Sequence, residues 1–186
     1  MSNLDEIYRI FGRPSPHGYE GGAWREVEDY LGLSLPVDFK EFVDAYGPGM
    51  VCGELVIFHP LGPTPLLERM KDINESFGGS WRSEPGMYPF SFFPNSGGLI
   101  SWGYDYSGDE HFFWPCDESS SNWKIVTNVN GSDPEVFDGS FVDFVLNFAR
   151  ELRYWNPDAE ISSTNMDGDL ELDEFIDRPP YFEPIS

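Results

Sequence analysis

Cations are the scarcest charged groups in this chain. Eleven Lys and Arg stand against thirty-three Asp and Glu, a formal charge of -22 at pH 7. That balance repels phosphate backbones and anionic membranes and attracts cationic surfaces. Direct binding of nucleic acid is therefore not expected, whereas a basic protein partner fits. A solvated acidic surface is the plainer account of the same charge, which by itself identifies no partner.

Cysteine is almost as rare. Cys52 and Cys116 are the only two in 186 residues. Each sits in an apolar, strand-like run, so both read as reduced, packed thiols rather than a disulfide. The three histidines, His17, His59 and His111, have no metal-ligand spacing with one another or with the cysteines. His59 and His111 read as structural residues. Walker loop, dinucleotide fingerprint and Gly-x-Ser-x-Gly elbow are all missing, and the nearest approach, Ser96-Gly97-Gly98, lacks the surroundings of an elbow. Among thirty-three acids some close carboxylate pair arises by chance, so no glycosidase pair stands out. The segment from Asn165 to Glu174 resembles a calcium loop, but its glycine, Gly168, falls at the fourth position and Leu170 occupies the sixth. The turn of an EF-hand is missing there. The sequence points to no catalytic residue, no metal and no cofactor.

Long apolar runs are also absent. No stretch approaches 18 consecutive apolar residues, and the opening Met1-Ser2-Asn3-Leu4-Asp5-Glu6 has no basic segment leading into an apolar one. A membrane-spanning or signal-exported protein is not expected, and a cytoplasmic one is.

Aromatic residues are abundant: sixteen Phe, nine Tyr and six Trp, 17% of the chain. Each buried ring removes about 150–250 Å² from water, so a ring-rich core is expected. A chain of this length buries about 70% of its surface without metal or disulfide support, and one domain is the default.

The apolar spacing supplies elements. Leu4, Ile7, Ile10 and Phe11 suggest a brief first helix before a Gly/Pro-rich loop. Trp24, Val27, Tyr30 and Leu31 give an amphipathic helix stopped by Gly32. Pro36 opens another, with Phe39, Phe42, Val43 and Tyr46 on one face and Gly47 at its end. Residues 51–58 read as a strand. A third amphipathic helix carries Leu66, Met70, Ile73 and Phe77, ending at Gly78-Gly79. Phe90–Phe93, Leu99–Trp102, Glu110–Trp114 and Trp123–Thr127 are short apolar runs whose close spacing argues for an antiparallel meander. Ser140, three residues before Asp143, is a candidate N-cap for a last helix bearing Phe141, Phe144, Val145, Phe148 and Leu152. Residues 156–186 carry nine acids and one Arg, and read as an acidic C-terminal tail outside a 1–155 domain. Trimming after Tyr154 is expected to leave that domain folded. Phe175, Ile176, Tyr181 and Phe182 in the tail could dock on the domain or on a partner, with Pro179-Pro180 stiffening the approach.

One stretch differs in kind. Trp102 to Glu110 sets Tyr104 and Tyr106 beside Asp105, Asp109 and Glu110 in a glycine-bearing connection between two strands. Aromatic anchors with an acidic rim suit a basic protein surface, which makes Tyr104, Asp105, Tyr106, Asp109 and Glu110 the candidate partner-binding residues.

The run Trp24, Glu28, Leu31-Gly32, Leu35-Pro36, Asp38-Phe39, Phe42 and Tyr46-Gly47-Pro48-Gly49 resembles the opening of the SUKH superfamily, also described as Smi/Knr-like. Further matching stretches are Gly53–Phe58, Gly98–Gly103, Phe112–Trp114, Trp123–Val126 and Phe137–Phe141. The resemblance covers about residues 22–152. It implies an α+β fold: one SUKH-like domain, a central, mostly antiparallel sheet with helices packed against it. Bacterial members of that family mostly serve as immunity proteins that bind a co-encoded toxin, often a nuclease, and fungal relatives act as regulatory scaffolds. The matched positions define a fold and transfer no catalytic residue. The expectation is a non-catalytic, cytoplasmic immunity protein, monomeric or weakly dimeric, covering the basic active site of a cognate nuclease-type toxin. A regulatory scaffold is the alternative, and a carbohydrate-active or other hydrolase a more distant one.

Overall fold

The computed structural model describes residues 3–14, 24–84, 86–129, 133–151 and 180–185. His17, Leu152, Tyr154, the Asn165–Glu174 segment, Phe175, Ile176 and Pro179 lie outside them.

The expected amphipathic helices form wherever apolar residues recur on one face. These are α1 (Asn3–Phe11), α2 (Trp24–Leu31), α3 (Val37–Tyr46), α4 (Leu66–Ser83) and α5 (Phe141–Glu151). Gly32 and Gly47, at φ 65° and 74°, stop α2 and α3 in the left-handed region that glycine enters without a Cβ penalty. Their amides close on Glu28 O and Val43 O, both at 2.8 Å. Ser140 caps α5 as expected. Its Oγ accepts from the Asp143 amide at 3.1 Å, while the Asp143 carboxylate accepts from the Ser140 amide at 3.1 Å, a reciprocal capping box. The first turn of α5 gains a second anion from a distant element, because Asp38 Oδ2 accepts from the Val142 amide at 3.1 Å. A carboxylate at a helix N-terminus is favoured by the unpaired amides and the helix dipole.

Among the described residues seven strands form one antiparallel sheet, in the order β6-β5-β4-β3-β2-β1-β7. They are β1 (Gly49–Val51), β2 (Leu55–Ile57), β3 (Ile100–Asp105), β4 (Glu110–Trp114), β5 (Lys124–Thr127), β6 (Glu135–Phe137) and β7 (Phe182–Pro184). β1 to β6 lie in chain order, a meander interrupted by α4. The architecture is α+β, with helices packed against the sheet.

Four local readings are corrected. Residues 51–58 are a hairpin rather than a strand, because Cys52 and Gly53 both take positive φ, 54° and 71°, and turn β1 back as β2. α4 runs through Gly78-Gly79 to Ser83. Two glycines cost a helix about 1 kcal/mol each, but Gly78 is buried and the Ser80 and Ser83 hydroxyls bond back to the Ser76 and Gly79 carbonyls. Phe90–Phe93 is a loop whose one ladder contact among the described residues is the Phe92–Leu99 bridge. Cys116 is exposed, while Cys52 is buried, and both are free thiols.

The end of the acidic C-terminal stretch, residues 182–184, enters the sheet. β7 pairs with β1, Val51 facing Phe182 and Gly49 facing Pro184. The Cys52 amide donates to Tyr181 O and the Ile185 amide to Pro48 O, both at 2.9 Å. Phe182 packs its ring 5.0 Å from Tyr46 and 5.8 Å from Phe42. A Cβ on Gly49 would collide with the Phe182 ring, so this close approach requires glycine.

The main core lies between the sheet and α1, α2, α3 and α5, around Phe39. Its ring sits 4.9 Å from Phe141, 5.2 Å from Phe113 and 5.5 Å from Trp24. Truncating such a ring to alanine costs about 3–5 kcal/mol. Trp24 and Glu28 join α2 to α3. The Trp24 indole donates to Asp44 at 2.8 Å, and Glu28 Oε1 accepts from Lys40 Nζ at 2.7 Å and the Leu35 amide at 3.0 Å. A smaller cluster around Phe92, Phe112 and Val126 includes Ile73 of α4. Among the described residues no helix is long and apolar enough to cross a membrane.

Candidate functional site

Trp102 to Glu110 is less a loop than the sequence implies. β3 runs through Tyr104 and Asp105, β4 begins at Glu110, and only Tyr106–Asp109 connect them. Asp105 organises that turn. Its Oδ1 accepts from the amides of Ser107 at 2.9 Å and Asp109 at 3.3 Å. Its own amide donates to Asp109 O at 2.9 Å, and Gly108, at φ 94°, donates to Asp105 O at 3.0 Å. The Tyr106 amide donates to Glu54 O at 3.2 Å, which ties the turn to the β1–β2 hairpin.

The other carboxylate oxygen of Asp105 points inward, to His111 Nε2 at 2.9 Å. The His111 ring lies against Trp102 at 5.4 Å and Phe144 at 5.5 Å. Burial works against an ionised Asp105, but the hydrogen bond and charge of His111, with the Asp109 and Ser107 amides, hold its carboxyl below the ordinary value.

Glu110 is 6% exposed and equally committed. Oε2 takes a 2.6 Å bond from Arg69 Nη2 and Oε1 a 2.7 Å bond from Ser101 Oγ. The Arg69 guanidinium lies 5.4 Å from the Tyr104 ring and 5.8 Å from the Phe58 ring, within range of cation–π attraction. Consecutive strand residues point to opposite faces, so Glu110 faces Arg69 of α4 while His111 faces α5.

Asp105 and Glu110 therefore do not form the acidic rim that the sequence suggested. They are internal supports of the turn. Of the five residues singled out, Tyr106 is the most open, at 60% exposed, and Tyr104 and Asp109 are half-buried. The Tyr106 ring meets Tyr104 edge to face at 6.2 Å, and its hydroxyl approaches Met50 Sδ at 3.3 Å. The result is a tyrosine pair on a fixed platform. Arg69, Met50 and Phe58, which complete it, were not legible locally: Arg69 follows Glu68 in an amphipathic helix and resembles any solvated helix cation, and its partner lies 41 positions away.

Nothing else among the described residues gathers into reactive chemistry. Burial pushes the Cys52 thiol up, an effect that the Tyr181 backbone opposes and Glu54 reinforces, so it is a poor nucleophile. His59 is fully buried, its Nδ1 accepting from the Leu61 amide at 2.9 Å. Among the described residues no group of three or more His, Cys, Asp or Glu side chains could hold a metal ion. Comparison with family models, curated proteins and solved structures finds no match for this chain.

Proposed function

We propose that the protein is a non-catalytic immunity protein that occupies the basic active-site cleft of a cognate nuclease-type toxin and keeps its substrate out. The observation that carries this reading is the exposed Tyr106, paired with Tyr104 on a turn whose Asp105 and Glu110 are satisfied from below. Binding hot spots are enriched in tyrosine and arginine, and an anchor already held in place loses little freedom on association. The sign of the partner follows from the net charge of -22. Asp109, the one acid of the turn not drawn inward, stands beside the anchor, and long-range attraction from the net acidic charge speeds encounter. The SUKH resemblance of residues 22–152 supports the same reading.

The test is to mix the purified protein with the product of the neighbouring gene and follow cleavage of nucleic acid and binding kinetics together. Stoichiometric loss of cleavage, with an association rate that falls steeply as salt screens charges over about 8–10 Å, supports the proposal. A complex that leaves cleavage intact would favour a scaffold, and turnover by the protein itself, abolished by one substitution, would end the binding-only reading.

A further inference from the structure

We propose that a cleft at the end of α2, separate from the tyrosine turn, receives an arginine or lysine side chain from an extended segment of the protein partner. This rests on the basic-partner reading above and adds a second contact to it.

The cleft measures about 310 Å³, at the small end of ligand-sized pockets. Its apolar wall is Leu31, Leu33, Phe93, Pro94, Pro115 and Trp123, and its polar wall includes Asn95, Ser96, Asp117 and Glu118. The lining thus holds two carboxylates and no cation. Among the described residues neither carboxylate pairs with a Lys or Arg, although other exposed acids such as Asp29 and Asp138 do. The end of α2, Leu31 and Gly32, also borders the space, and a helix C-terminus is the negative end of its dipole. Aromatic rings beside carboxylates suit a cation carried on an apolar stem, since the stem packs on the rings while the charged head meets the acids.

The site is built rather than collapsed. Trp123 Nε1 donates to Asp117 O at 2.9 Å. Asp117 Oδ1 accepts from the Ser119 amide at 2.8 Å and from Asn122 Nδ2 at 3.3 Å, so the carboxylate is oriented by its own turn. On the opposite wall the Asn95 amide donates to Phe92 O at 3.0 Å, Gly98 to Asn95 O at 2.8 Å and Phe93 to Leu99 O at 3.1 Å. A Cβ on Gly98 would strike the Phe92 backbone, so the loop is held close at that point. Both walls are thus tied by their own hydrogen bonds, which lowers the ordering cost of binding even a small ligand fragment. Leu33, 41% exposed and part of the lining, offers an apolar contact to the incoming stem.

The experiment is an amide and indole NMR titration of the full chain with blocked Gly-Arg-Gly, Gly-Gln-Gly and Gly-Glu-Gly peptides. The arginine peptide should move the Gly97 and Gly98 amides and the Trp123 indole N–H saturably, and the other two should not. The double variant Asp117→Asn with Glu118→Gln should weaken this binding about fivefold, the loss expected for two partly solvated charge contacts. Leu33→Lys, which leaves the Asp117 turn untouched, should weaken it as well by placing a cation in the exposed part of the lining. Equal shifts from the glutamine peptide, or an unchanged titration in both variants, overturn the proposal. Shifts confined to Tyr104–Asp109, or silence everywhere, overturn it too while leaving the basic-partner reading standing, because that reading is decided by toxin inhibition and its salt dependence.

Discussion

Asp105 Oδ2 and His111 Nε2 meet at 2.9 Å in the interior, and the same carboxylate carries the turn that presents Tyr106. One side chain thus joins the core to the proposed contact surface. A carboxyl held below its ordinary value of 3.8 contributes its stability in full above that pH and loses it as pH falls through the folded value. Urea denaturation of the wild type should therefore show stability dropping below pH 3.8, with a shallower acid limb in Asp105→Asn. Asp105→Ala, which leaves His111 without its partner, should cost about 3 kcal/mol at neutral pH. Equal acid limbs in wild type and Asp105→Asn would show that the pair contributes nothing to the pH dependence.

Glu110 and Asp109 are neighbours in sequence with opposite expected phenotypes. Glu110→Lys places a cation against Arg69 in a nearly closed site and should abolish cooperative unfolding or lower stability by more than about 3 kcal/mol. Asp109→Lys should leave stability within about 0.5 kcal/mol yet slow association with a basic partner. Thermal melts and stopped-flow rates on the two variants separate a structural acid from a steering one.

Tyr106→Ala removes the most exposed ring of the turn. Its stability should stay within about 0.5 kcal/mol of wild type, while dissociation of the toxin complex accelerates by about thirtyfold, the signature of a hot spot worth 2 kcal/mol. An unchanged dissociation rate would move the anchor elsewhere.

Phe182 lies outside the domain that the sequence suggests, but its ring contacts Phe42 and Tyr46. Phe182→Ala should cost about 2–3 kcal/mol, less than a fully enclosed phenylalanine because the residue is half-buried. Deleting residues 180–186 should cost at least as much, measured by urea denaturation. A deletion variant as stable as the full chain would return the tail to the status of an appendage.

The sequence made the helices and central strands legible because their apolar residues follow a clear period, as Trp24, Val27, Tyr30 and Leu31 do in α2. β6 and β7 were not legible. Each is three residues long, with exposed Glu135 and Val136 or Glu183 and Pro184, and so has no alternating pattern to read. The hairpin at Cys52-Gly53 was hidden inside an apolar run, since nothing in the sequence marks a cysteine that will take positive φ. At the candidate site the tyrosines could be found from composition. The roles of Asp105 and Glu110 could not, because their partners His111 and Arg69 are set by strand register and helix docking.

The placement of β7 bears on how the protein is made. β1 and β2 precede β7 in synthesis, and among the described residues the outer edge of β1 has no partner strand until residues 182–184 have been added, 131 positions after Val51 by the pairing of Val51 with Phe182. Contacts so far apart form late and slow folding. During that interval the nascent chain presents an open row of amides and carbonyls, which any other extended segment can pair with. A ribosome stalled before residue 180 should therefore hold a nearly complete sheet with one adhesive margin, and crowding of such chains on a single message would favour their pairing with one another.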